Sequence, residues 1–100
     1  MEKLRILIFI DWFAPGFKAG GPTTSNVNIV EHLKDIFDFY VITTDTDYHE
    51  NQSYQDIISD KWIKMDGFFA YYFSRKELSF KHLKKVIKDS KCNIWYINGI

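Results

Sequence analysis

The stretch LRILIFI at residues 4–10 decides the fold, because it is an almost uninterrupted apolar run near the start of the chain. Such a run is typical of a strand that is buried on both faces of a parallel sheet. Residues 11–22 hold three of the five glycines and both prolines, so neither a helix nor a strand is expected there. The sequence predicts a first strand followed by a long loop, and ordered loops of that length are usually functional.

An amphipathic helix is predicted after the loop. Apolar residues recur at spacings of three and four from Val27 to Phe37, which is the period of a helix with one buried face. Thr23 or Thr24 is expected to cap its first turn, because a hydroxyl oxygen accepts a hydrogen bond from a free backbone amide. Residues 39–44 then form a second strand and complete a βαβ unit.

The middle of the chain is predicted to hold a polar loop and a third strand. Residues 45–61 are polar and acidic and are interpreted as exposed. The aromatic run at residues 68–73 predicts a strand, and the pair Asp66-Gly67 before it is a strong turn signal. Residues 62–65 fit either a strand or a loop, which leaves a short hairpin open.

The last third predicts a second helix over roughly residues 79–90 and a fourth strand over residues 93–97. The order β-α-β-β-α-β describes an α/β, Rossmann-like parallel-sheet domain, for which we expect the strand order 3-2-1-4. Residues 1–100 are interpreted as one such domain, truncated from a larger protein, because no helix follows the last strand to cover the sheet.

Composition narrows the classes of function. The thirteen Lys and Arg balance the thirteen Asp and Glu, so a chain-wide electrostatic grip on nucleic acid is not expected. Cys92 is the single cysteine, which excludes an intrachain disulfide and a cysteine-based zinc cage. The first apolar run is too short to span a bilayer, and no export signal is visible, so a cytoplasmic location is expected.

The second helix carries a local excess of positive charge. The window of residues 75–91 has seven Lys or Arg against two acids, a net charge of +5. Two interpretations stay open: a solvated helix face, or peripheral contact with anionic lipid head groups at the inner face of a membrane. The lysines that would make that contact are Lys81, Lys84, Lys85 and Lys88.

The sequence Gly20-Gly21-Pro22 joins the first strand to the start of the first helix. Adjacent glycines let a ligand approach the backbone closely, and amides at a helix start favour an anion such as a phosphate. The pattern is neither G-x-G-x-x-G nor a P-loop, so a plain turn is the competing interpretation.

Other polar residues are candidates for sugar or metal contacts. Asp11, Trp12 and Lys18 share the first loop, where a carboxylate beside an aromatic ring suits a sugar, although the aromatic residues equally suit the core. Asp45 and Asp47 offer hard oxygen ligands for a divalent cation, but paired aspartates in an acidic loop are usually solvated. No metal site is assigned, and the scattered histidines do not suggest a catalytic triad.

The string IFIDWFAPGFKAGGPTTS at residues 8–25 resembles the opening of bacterial glycosyltransferases of family 4, which are two-domain enzymes of the GT-B fold. The resemblance continues through residues 28–33 and 37–47 and, more faintly, to Asn98. It implies transfer of a sugar, with retention, from a nucleotide-sugar donor to a saccharide or lipid-linked acceptor in capsule, exopolysaccharide or lipopolysaccharide synthesis. It implies no cofactor, because the nucleotide-sugar is itself the donor substrate.

The resemblance also implies roles for individual residues. Gly20 and Gly21 would reach the donor diphosphate, and the acceptor would be held by Asp11, Trp12, Lys18 and Asp45. The C-terminal domain that binds the nucleotide is not in this sequence, so the chain alone is expected to be inactive.

Asn98 is the one weak candidate for a catalytic position. Many family members have a histidine there, but an asparagine side chain cannot act as an acid or a base.

Two other classes of protein compete with the interpretation as a glycosyltransferase. One is a non-enzymatic flavodoxin- or receiver-like binding module, and the other is a dinucleotide-binding Rossmann enzyme. The missing G-x-G-x-x-G pattern counts against the second.

Overall fold

The computed structural model of the chain describes residues 3–10, 13, 21–45 and 57–97, without the side chains of residues 21–25 and 97. Seven helices and strands lie in these ranges. They are β1 (Arg5–Phe9), α1 (Gly21–Leu33), β2 (Asp38–Thr44), β3 (Trp62–Lys64), β4 (Phe69–Phe73), α2 (Phe80–Ser90) and β5 (Ile94–Ile97).

The strands form one mixed sheet in the order β3-β4-β2-β1-β5. β1 lies parallel to β2 and β5, and β2 lies parallel to β4. The four predicted strands therefore have the predicted order 3-2-1-4, which matches the first four positions of the Rossmann order 3-2-1-4-5-6. A flavodoxin-like order, 2-1-3-4-5, would place β4 beside β1 instead of β2.

The prediction of an all-parallel sheet with the order β-α-β-β-α-β is wrong in one element. Residues 62–64 form the additional strand β3, which is antiparallel to β4. The reversal occurs at Asp66-Gly67, where Gly67 has a φ of 85° and Met65 N–H donates to the Phe68 carbonyl oxygen at 2.7 Å. β3 and β4 therefore form the short hairpin that the sequence left open, with the turn at Asp66-Gly67 between them.

In the described part of the chain, one helix packs on each face of the sheet, and alternate strand residues point toward one or the other. On the α1 face, Val30 packs in a cluster with Ile8, Val41 and Tyr72. On the α2 face, Val86 packs with a second cluster. The buried strand residues of that second cluster are Leu7, Ile42, Tyr71 and Phe73.

The helix boundaries partly differ from the prediction. α1 begins at Gly21, so Thr23 and Thr24 lie within its first turn and the prediction of a threonine cap is wrong. The second helix is confirmed, and its cap is Ser79, whose hydroxyl oxygen accepts from the His82 amide at 3.1 Å. No helix in the described ranges is long and apolar enough to cross a bilayer.

Candidate functional site at the carboxyl edge of the sheet

Four parallel strands end at one edge of the sheet, which is where open α/β sheets bind their ligands. The residues that directly follow β1, β2 and β4 there are Ile10, Asp45 and Ser74. α1 ends shortly before β2 begins, so its other end, at Gly21, lies at this same edge. The edge therefore brings together a helix N-terminus, a buried carboxylate and a serine.

Asp45 is buried, with only 3% of its surface exposed, so the prediction that it opens an exposed loop is wrong. Its backbone N–H donates to the Phe73 carbonyl oxygen at 2.9 Å, which continues the pairing of β2 with β4. Its carboxylate accepts a hydrogen bond of 2.6 Å from the Ser59 hydroxyl. A buried carboxylate requires such donors, because it has lost its contact with water.

Asp60 makes the matching connection at the end of β4. Its carboxylate accepts from the Ser74 amide at 2.9 Å and from the Ser74 hydroxyl at 2.7 Å. Its own N–H donates to the Tyr72 carbonyl oxygen at 2.8 Å. Its backbone is left-handed, with a φ of 64°, a conformation that aspartate tolerates better than most residues.

The hydrogen-bonded pairs Asp45–Ser59 and Asp60–Ser74 hold the segment around residue 59 across the ends of β2 and β4. Ser59, Asp60 and Ser74 were not predicted as site residues, because nothing local marks two residues fourteen positions apart as partners. The available signal was weak: Ser74 directly follows a predicted strand, and Asp60 ends a polar segment.

Two more polar side chains are buried on the α1 side. Asn26 on α1 is 1% exposed and Thr43 on β2 is 2% exposed. Thr43 lies two residues before Asp45, so strand alternation places both on the same face. Among the described residues, the Thr43 hydroxyl meets no hydrogen-bond partner. The α1 side of the edge is thus more polar than a sheet core usually is.

Comparisons with protein-family models, curated proteins and solved structures give no significant match to this chain.

Most of the predicted site residues lie outside the described residues. These are Asp11, Trp12, Lys18, Gly20 and Asn98. Of the remaining two, Gly21 is the first residue of α1 and Asp45 follows β2, so both belong to the carboxyl edge. Their predicted roles toward donor and acceptor stay predictions.

Burial favours the neutral form of two titratable side chains, Tyr72 and Cys92. Burial raises the pKa of Tyr72 to about 12. It also raises the pKa of the Cys92 thiol, although a hydrogen bond with the Ser90 side chain and the charge of Arg5 act in the opposite direction. A protonated, half-buried thiol is a poor nucleophile, and Cys92 packs against the cluster around Val86, just beyond the end of α2.

One histidine, His82, packs on the α2 face of the sheet. His82 lies edge-on to Phe73, with ring centroids 5.2 Å apart, and its Nε2 is 3.5 Å from the Tyr71 hydroxyl. Its Nδ1 lies 3.1 Å from the Glu77 carbonyl oxygen. Within the described ranges, no group of three or more His, Cys, Asp or Glu side chains is placed to hold a metal ion.

Proposed function

We propose that this chain is the N-terminal, acceptor-side part of a retaining glycosyltransferase of the GT-B type. The whole enzyme moves a sugar from a nucleotide-sugar donor to a saccharide or lipid-linked acceptor during synthesis of a cell-surface polysaccharide, in the cytoplasm. The missing C-terminal domain binds the nucleotide, so the chain by itself is inactive.

The strand order is the observation that supports this proposal best. The pairing of β4 with β2 agrees with a Rossmann-like half, which is the architecture that the resemblance of residues 8–25 implies. The competing interpretation, a flavodoxin- or receiver-like binding module, calls for β4 beside β1. The order therefore favours a Rossmann-like enzyme over that module, and the missing G-x-G-x-x-G pattern counts against a dinucleotide-binding one.

The donor diphosphate is the proposed ligand of Gly20 and Gly21. Support comes from the position of Gly21 as the first residue of a helix of 13 residues that begins at the carboxyl edge. Amides in a first helical turn lack helical partners, and the helix dipole favours negative charge there. As the bond to the leaving diphosphate breaks, these amides stabilise the charge that develops on it.

The acceptor is proposed to lie against the first loop, where Asp11, Trp12 and Lys18 orient its hydroxyl groups. Asp45 was expected to join them, but its burial and its bond to Ser59 support a different contribution. It holds the segment around residue 59 against the end of β2, and so acts on the acceptor through that segment. Asn98 contributes at most a hydrogen bond to a sugar hydroxyl.

The sequence of the parent gene beyond Ile100 tests the proposal most directly. We expect a second Rossmann-like half that carries a glycine-rich loop and two glutamates eight residues apart. A native protein that stops near residue 100 would remove the basis for a GT-B enzyme and restore the binding module.

A substitution in the full-length protein tests the phosphate role. Gly21→Val adds a branched side chain where the diphosphate would approach, and we expect at least a tenfold loss of glycosyl transfer or donor hydrolysis, roughly 1.4 kcal/mol or more in the barrier. Asn28→Val is the matched control, because Asn28 is exposed on the same helix. Turnover that is equal in the two variants would contradict the role of Gly21.

A further inference from the structure

Two short segments at the carboxyl edge present apolar side chains to solvent. Ile58, in the segment that Asp45 and Asp60 hold across the strand ends, has 57% of its surface exposed. Leu78, in the turn that follows β4, is 44% exposed. Single exposed apolar residues are common on protein surfaces, so this pair is informative only if the protein fixes its position.

The position of Ile58 is fixed from both sides. Ile57 packs on the hydrophobic cluster of the α1 face. The Ser59 hydroxyl donates to Asp45 at 2.6 Å, and the Asp60 N–H donates to a carbonyl oxygen near the end of β4 at 2.8 Å. Because its neighbours are held in this way, Ile58 projects into solvent at the edge where open α/β sheets bind their ligands.

The turn after β4 is joined to that segment through Ser74. Its amide and hydroxyl groups donate to the Asp60 carboxylate, at 2.9 and 2.7 Å. Its carbonyl oxygen accepts from the Leu78 N–H at 3.0 Å. Ile58 and Leu78 therefore belong to two segments that one set of hydrogen bonds connects.

Two cations lie in the same turn. Arg75 and Lys76 are exposed directly after Ser74, and neither forms an ion pair with another described residue. The neighbouring Glu77 carboxylate is 3.8 Å from Nδ1 of His82. The turn therefore offers two positive charges to an anion, next to exposed apolar side chains.

We propose that Ile58, Arg75, Lys76 and Leu78 bind the phosphate and the chain of a lipid-linked acceptor. Arg75 and Lys76 contact the phosphate oxygens, for which guanidinium and ammonium groups are suited. Ile58 and Leu78 contact the first part of the apolar chain. The inference rests on the proposed sugar transfer, and it selects an acceptor joined to a prenyl chain through phosphate over a free saccharide.

The spacing of the strands agrees with this placement. Only β2 separates β4 from β1, so the turn after β4 lies about 10 Å from the end of β1 when neighbouring strands are about 4.8 Å apart. The first loop, against which the acceptor sugar is proposed to lie, follows β1. The phosphate and the chain then extend from the sugar along the carboxyl edge toward β4.

Methyl NMR of the purified protein tests the binding surface, with geranyl diphosphate as the probe. We expect saturable shifts of the Ile58 and Leu78 methyl signals, and markedly weaker binding of inorganic diphosphate and of geraniol, which each lack one half of the probe. The Ile36 methyl signals are the internal control, because Ile36 is 58% exposed between α1 and β2, at the opposite edge of the sheet.

Charge variants separate this surface from general attraction to basic residues. Arg75→Gln/Lys76→Gln should weaken the binding of geranyl diphosphate by roughly tenfold, because it removes the partners of the phosphate. Lys84→Gln/Lys88→Gln is the matched control, since it removes the same charge from exposed lysines on α2. Binding to that control should stay close to the binding to the parent.

Sugar transfer by the full-length protein tests the role in acceptor choice. Ile58→Ser should raise the KM for a prenyl diphosphate-linked acceptor by roughly fivefold without a matching change in kcat, because it removes a contact with the chain and none with the reacting atoms. The KM for the methyl glycoside of the same sugar should not rise. Ile36→Ser should change neither KM.

Three outcomes would overturn the proposal: equal shifts of the Ile58 and Ile36 signals, an equal loss of binding in the two charge variants, and a KM that Ile58→Ser leaves unchanged. A full-length enzyme that uses the methyl glycoside as readily as the prenyl-linked acceptor would overturn it too, and would leave the proposed sugar transfer standing. A full-length protein that transfers no sugar, while geranyl diphosphate still binds beside Ile58, would refute the sugar transfer and support the binding surface.

Discussion

Single carboxylates organise the carboxyl edge of this sheet. Asp45 and Asp60 each accept a hydrogen bond from a serine hydroxyl, and together they connect one short segment to the ends of two neighbouring strands. A hydrogen bond to a charged acceptor contributes about 1.5–3 kcal/mol when its loss leaves a buried group without a partner. These contacts therefore decide how rigidly the edge is built.

Replacement of Asp60 should reveal that contribution. Asp60→Ala removes both bonds to Ser74 and places alanine at a left-handed position, so we expect a loss of about 2–3 kcal/mol in the free energy of unfolding. Asp60→Asn keeps one acceptor oxygen, so its free energy of unfolding should decrease less than that of Asp60→Ala. Urea unfolding measures both against Asp35→Ala, an exposed control that should stay within about 0.5 kcal/mol of the parent. A similar change in Asp60→Ala and in the control would mean that these bonds contribute little.

The buried hydroxyl of Tyr72 predicts a dependence of stability on pH. Its pKa is raised from 10.0 in the unfolded chain to about 12 in the folded protein, so the folded protein holds the proton more tightly. The stability that results is complete below pH 10 and is lost as the pH rises toward 12. We expect the free energy of unfolding of the parent, measured relative to that of Tyr72→Phe at the same pH, to fall between pH 9 and pH 12. A difference between the two free energies of unfolding that stays constant over this pH range would contradict a raised pKa for Tyr72.

At the scale of the elements, the hairpin of β3 and β4 depends on one turn. Gly67 has a φ of 85°, and a Cβ atom built there would lie 2.6 Å from Cδ of Lys34. Lys34 itself bonds the carboxylates of Glu31 and Asp66, at 3.3 and 3.4 Å. The same glycine therefore allows the reversal of the chain and the contact with the end of α1.

The two contributions of Gly67 can be separated. Gly67→Ala should lower the free energy of unfolding by about 1–2 kcal/mol, because alanine is strained at this φ and displaces the Lys34 side chain. In a Lys34→Ala background the strain remains and the displacement is absent, so the loss should be smaller. Chemical denaturation of the four proteins measures the difference. Equal losses in both backgrounds would show that the contact with Lys34 has no energetic effect.

At the scale of the whole molecule, Arg5 connects elements from both ends of the chain. Its Nη1 donates to the Ser90 carbonyl oxygen at the end of α2, at 3.2 Å, and its guanidinium lies 5.4 Å from the centre of the Tyr40 ring. Its backbone exchanges hydrogen bonds with Asn93, which leads into β5. The Arg5 side chain thus helps to hold α2 and β2 together, while its backbone connects β1 with the start of β5.

Arg5→Met should show the effect of that connection. Methionine keeps the apolar stem but loses the guanidinium, and we expect a loss of about 1–2 kcal/mol in the free energy of unfolding. Arg75→Met is the matched control, because Arg75 is exposed in the turn before α2. In thermal unfolding, the midpoint temperature should be lower than that of the parent for Arg5→Met only. Equal midpoints in the two variants would exclude a role of Arg5 in joining the elements.

Local pattern determined much of this architecture. The apolar run around Ile8, the helical spacing of α1 and α2 and the turn pair at residue 67 predict the parallel strands and both helices, because each signal lies within a few residues of chain. The strand order was expected from the Rossmann-like class of the domain, in which the fourth strand returns to lie beside the first. The additional strand β3 was undecided, since three residues carry too little periodicity to show their partner.

Tertiary structure alone decided the rest. The burial of Asp45, the bond of Asp60 to Ser74 and the three connections of Arg5 all join residues far apart in sequence. Such contacts depend on strand register and on how the helices lie across the sheet. No local periodicity encodes those quantities, because they arise only when separate segments pack together.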